Sequence, residues 1–96
     1  MNYTQKKYEE IKEQCLNLQE QSKAIYEKIV NADFYDIEAI ENAINDIRHI
    51  QEKVKPIYLD IQDYWISEAY EDIRFYIDKL EDLLNEQVGL SETLNE

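Results

Sequence analysis

The only histidine, His49, and the only cysteine, Cys15, limit the chemistry open to this chain. A hydrolytic triad needs a nucleophile, a base and an orienting acid, and His49 is the sole imidazole. On a helical wheel it falls off the apolar stripe, beside Arg48, which reads as a solvated residue. A bundle metal site wants Glu-x-x-His, but the residue three before His49 is Asp46. Cys15 has no second thiol to pair with and reads as a small buried apolar residue. No Gly-rich phosphate loop, Cys pair or EF-hand spacing occurs. The expectation is a protein that is not an enzyme and uses no cofactor or metal.

Carboxylates are what the chain has in quantity. Asp and Glu number 22 against 10 Lys and Arg, a net charge of −12. Residues 1–56 carry 11 acids and 8 bases, while residues 57–96 carry 11 acids against Arg74 and Lys79 alone. Nucleic acid and anionic membranes both require a positive footprint, so direct binding to either is disfavoured and a basic protein is the expected partner.

The acids Asp60, Asp63, Glu71, Asp78, Glu81 and Asp82 recur on the outer side of the last helical segment, and Glu68, Asp72 and Glu86 extend that sector on one side. Carboxylates about 5 to 6 Å apart along a helix approximate the spacing of phosphates on a nucleic-acid strand. Tyr64 and Phe75 interrupt this acidic sector on the same side, three turns apart, with Ile61 near them. Aromatics ringed by charge have the composition of a binding hot spot whose charges steer the encounter. The expected partner-binding set is therefore Asp60, Asp63, Tyr64, Glu68, Glu71, Phe75, Asp78 and Asp82.

Helices must position these residues. Glycine and proline occur once each, and hydrophobic residues make up 44% of the 96, enough for one small core and one domain over 1–96. Tyr8, Ile11, Cys15, Leu18, Ser22, Ile25, Tyr26, Ile29 and Val30 form one apolar stripe, which predicts a helix over about 4–30. Asp33 reads as the N-cap of a second helix over about 34–54, with Ile37, Ile40, Ala43, Ile44, Ile47, Ile50 and Val54 on its inner face. Pro56 either starts a third helix or kinks a continuous one, and a break is the preferred reading. A third helix over about 57–88 then presents Leu59, Trp65, Ile66, Ala69, Ile73, Tyr76, Ile77, Leu80, Leu83 and Leu84, with Gly89 as its stop and 90–96 as a polar tail. Three amphipathic helices on short connections predict an all-α, antiparallel three-helix bundle with a long acidic C-terminal helix, one end of which overhangs. No apolar run approaches a membrane span, and the N-terminal segment is charged throughout, so the expected location is the cytoplasm.

At Trp65-Ile66-Ser67-Glu68-Ala69-Tyr70, followed by Ile73, Tyr76 and Ile77, the chain resembles the WXG and LXG families of small helical proteins linked to type VII secretion. Those families carry Trp-x-Gly or Leu-x-Gly at the turn of a helical hairpin. Here Ser67 stands where the family has Gly, and the pattern falls within an expected unbroken helix. The resemblance implies a secretion partner or chaperone of a toxin, associating through apolar faces. The residues taken alone favour an acidic inhibitor that mimics nucleic acid, of the kind phages carry against CRISPR or restriction nucleases. A bundle that self-assembles into a homo-oligomer is the third reading.

Overall fold

The computed structural model describes residues 4–94 and contains three helices. These are α1 (Gln5–Val30), α2 (Ile37–Asp60) and α3 (Tyr64–Leu94). Thr4 caps α1, its hydroxyl accepting from the Lys7 N–H at 3.1 Å. Each helix turns one apolar stripe inward. Cys15, Leu18 and Ser22 come from α1, and Ile40, Ala43, Ile44, Ile47, Ile50 and Val54 from α2. From α3 come Ile66, Ala69, Tyr70, Ile73, Ile77 and Leu80. The three- and four-residue spacing is the α-helical period, so these side chains reach one core only if the segments are helical. Ser22, the buried polar residue among them, donates its hydroxyl to the Leu18 carbonyl at 3.0 Å and so avoids the cost of an unpaired group.

Side-chain contacts fix how the helices run past one another. Between α1 and α3 the residue numbers rise together: Tyr8 bonds Asp63, Gln19 reaches Asp72 and Tyr76 at 3.3 Å, and Tyr26 stacks on Tyr76 at 4.9 Å. Between α2 and α3 they run oppositely, since Tyr58 stacks on Tyr70 at 4.3 Å and Arg48 meets Glu81 at 3.0 Å. Tyr26, near the end of α1, is level with Tyr76, so α3 continues roughly 20 Å beyond α1. The described chain is accordingly a rod of 60 × 22 × 17 Å. Its radius of gyration of 16.2 Å exceeds the about 12 Å of a compact chain this long.

Several expected boundaries are corrected. Pro56 lies inside α2, not between helices. Its missing N–H deprives only the Glu52 carbonyl, and both residues are exposed, so water can serve that carbonyl. Val54 before it is fully buried, and Ile57 and Tyr58 after it pack on the same core, which carries the helix through. The break comes at residues 61–63, where Ile61 is extended with φ −117° and ψ 115°. Asp36, not Asp33, caps α2, accepting from the Glu38 N–H at 3.2 Å. The chain reversal consumes the residues from Asn31 to Asp36, and only the last of them adjoins the first helical residue. Gly89 does not stop α3: no described residue has a positive φ, and the helix runs on to Leu94. Most of the expected polar tail is therefore helical, while residues 95–96 lie outside the described residues.

Candidate protein-binding surface

The outward side of α3 lies opposite its buried residues. At 100° per residue, Tyr64, Glu68, Glu71, Phe75, Asp78 and Asp82 fall within about 80° of one another and form a straight stripe about 27 Å long. All six are exposed. Six of the eight residues expected to meet a partner thus share a single face.

The other two do not. Asp60 is the last residue of α2, so it belongs to a different helix from the stripe. Asp63 caps α3: one carboxylate oxygen accepts from the backbone N–H groups of Trp65 at 2.9 Å and Ile66 at 3.1 Å, and the other from the Tyr8 hydroxyl. Burial opposes the charge on Asp63, but the Tyr8 hydroxyl, the two backbone donors and nearby Lys12 together outweigh it and hold the carboxyl below its ordinary value. The same hydrogen bond, reinforced by burial and by the Asp63 charge, pushes the Tyr8 phenol up to about 12. Periodicity groups Asp60 and Asp63 with the stripe only if α3 runs from residue 57; the break at 61–63 removes both.

Within the stripe the charges are partly compensated. Glu71 lies 3.9 Å from Arg74, an exposed pair that contributes little. The Lys79 ammonium sits 5.5 Å from the centre of the Phe75 ring. Phe75 is half-exposed and also leans on Tyr26, with ring centres 6.5 Å apart, so it covers the α1–α3 seam while keeping one side open. Glu81, on the flank of α3 that faces α2, is engaged by Arg48.

At the head of the stripe the structure adds Leu59 and Trp65, which periodicity assigns to the inner face. Leu59 is 68% exposed, Tyr64 65% and Trp65 52%, all beside the α2–α3 turn. Tyr64 and Trp65 meet edge to face with ring centres 5.1 Å apart. The wheel angle of Trp65 points toward α1, yet it lies on the first turn of α3, at the end of the rod, where cover is incomplete. Leu59 ends up outward because the chain reverses just after it. Apolar residues on both sides of a helix break are the signal the sequence carries for this patch, and a break expected at Pro56 masks it.

His49 is exposed on α2, its Nδ1–H donating to the Asn45 carbonyl at 2.8 Å. Cys15 is buried, and burial, with the charge of Asp63, pushes its thiol up, away from the reactive thiolate. Among the described residues no three His, Cys, Asp or Glu side chains converge as metal ligands, and no helix is long and apolar enough to cross a membrane. The chain matches no protein-family model, no curated protein and no solved structure.

Proposed function

We propose that this chain is a non-enzymatic binding module whose acidic α3 stripe enters the basic groove of a nucleic-acid-binding enzyme and blocks it, as an anti-CRISPR or anti-restriction inhibitor would. The observation that carries this reading is the alignment of Glu68, Glu71, Asp78 and Asp82 with Tyr64 and Phe75 on one exposed helical face. Like charges on neighbouring turns repel, so a row of them lowers the stability of the free helix and is relieved by a partner of opposite sign. The pairings of α1 with α3 and α2 with α3 support reading the scaffold as an antiparallel bundle that presents α3 along its length. The inhibitor acts in the cytoplasm, where such enzymes meet nucleic acid.

The test is a tagged pull-down from source-cell lysate, washed at low and at high salt and competed with DNA, beside the E68Q/E71Q/D78N/D82N variant. The reading expects a nucleic-acid-binding enzyme that is released by salt or DNA, inhibited by the native chain, and indifferent to the folded variant. Equal inhibition by that variant would end it.

A second reading, a helical partner or chaperone of a type VII toxin, is favoured by one observation. Trp65, the second residue of α3, is half-exposed and lies close to the α2–α3 turn, as a motif carried at a hairpin turn would. It expects a complex that survives high salt, is lost on Trp65→Ala and is indifferent to the stripe acids.

A further inference from the structure

Turns between helices are ordinarily polar, because they face water on most sides. The α2–α3 turn departs from this: Leu59 and Tyr64 line one open depression, Tyr64 meets Trp65 edge to face, and the three residues leave on the order of 400 Å² exposed, polar and apolar atoms together. The turn is also held firmly. Asp63 caps α3 and receives the Tyr8 hydroxyl from α1, and the Tyr58–Tyr70 stack, with planes 10° apart, backs the turn from α2. The exposed side chains therefore stand on a fixed base, which lowers the entropy lost on docking.

Resting on the inhibitor reading above, we infer that Leu59, Tyr64 and Trp65 form the apolar anchor of the same interface, seated in an apolar socket at the end of the partner's basic groove. Tyr64 belongs to both parts: it begins the acidic stripe and touches Trp65. Area and charge select this occupant over a second copy. A stable interface takes about 800 Å² from each partner, so two tips meeting end to end supply about half. Copies packed side by side would bring together two α3 helices, each with eight acids against two bases, net −6. A basic protein reverses that repulsion and adds the stripe, about 27 Å long and about 10 Å wide, to the buried area. The same charge keeps the tip from an anionic lipid surface.

Trp65 is the single tryptophan, so its fluorescence reports on this tip alone. The probes are a synthetic amphipathic leucine–lysine helix and an oligolysine of equal charge, titrated at low salt. The inference expects the leucine–lysine peptide to bind with a blue shift of Trp65 emission, and about tenfold more weakly to the L59S/Y64S variant. Oligolysine should bind with no shift. Leucine–lysine binding without a shift, and undiminished in L59S/Y64S, overturns the anchor while leaving the acidic stripe as the binding surface. Failure of both basic probes to bind overturns the stripe reading and the anchor with it. A blue shift on raising the protein concentration alone, with a dimer by sedimentation, overturns the choice of partner in favour of a second copy.

Discussion

The Tyr8 hydroxyl of α1 donates to the Asp63 carboxylate that caps α3, two residues 55 positions apart in the sequence. This contact joins the start of the first helix to the start of the last. Asp63→Ala removes the cap and the acceptor together and should lower stability by about 1 kcal/mol in urea denaturation, whereas Asp63→Asn retains the cap and should lose less. Equal losses would show that the charge, not the cap, matters at this position.

The same pair sets a pH dependence. The folded value of Tyr8, about 12, lies above its ordinary 10.0, so its contribution is complete below pH 10 and disappears as pH rises through about 12. Asp63 is depressed below 3.8, so its contribution is complete above that value and is lost as pH falls through the folded value. Tyr8→Phe should flatten the part of the stability profile between pH 10 and 12 that belongs to this phenol, measured by urea midpoints at each pH. An unchanged profile would mean that the hydrogen bond does not persist in solution.

Two aromatic residues five apart on α3 should differ in how much they stabilise the fold. Tyr70 is buried and stacks on Tyr58, so Tyr70→Ala should cost about 3 kcal/mol. Trp65 is half-exposed, and Trp65→Ala should cost about 1 kcal/mol or less. Chemical denaturation followed by circular dichroism distinguishes them, and similar losses would place Trp65 in a packed environment.

The resemblance to the secretion families and the helix breaks turn on single residues, and here local rules and tertiary packing diverge. Gly89 looks like a helix stop, yet it sits within α3 with nothing within 4 Å of a Cβ built on it. Gly89→Ala should therefore raise the melting temperature, with a gain of up to about 1 kcal/mol from the smaller entropy loss of alanine. A lower melting temperature would indicate that α3 ends at residue 89 in solution.

Residue spacing establishes that the chain is helical and which face of each segment is buried. Ile40, Ala43, Ile44, Ile47, Ile50 and Val54 on α2, and Ile66, Ala69, Ile73, Ile77 and Leu80 on α3, repeat with the helical period, and removing that apolar area from water drives both structures. It also placed Glu68, Glu71, Phe75, Asp78 and Asp82 on one outward face, because angular position along a helix follows from spacing alone. Where α2 gives way to α3 depends on packing between the helices. Pro56 is a local cost that core contacts on both sides offset, and Asp63 is a local cap completed by Tyr8 from a distant helix. Tertiary structure likewise decided that Leu59 and Trp65 stay exposed while Tyr70 is buried. A helical wheel gives the direction of a side chain, but whether another helix extends far enough to cover it depends on how the three rods are staggered.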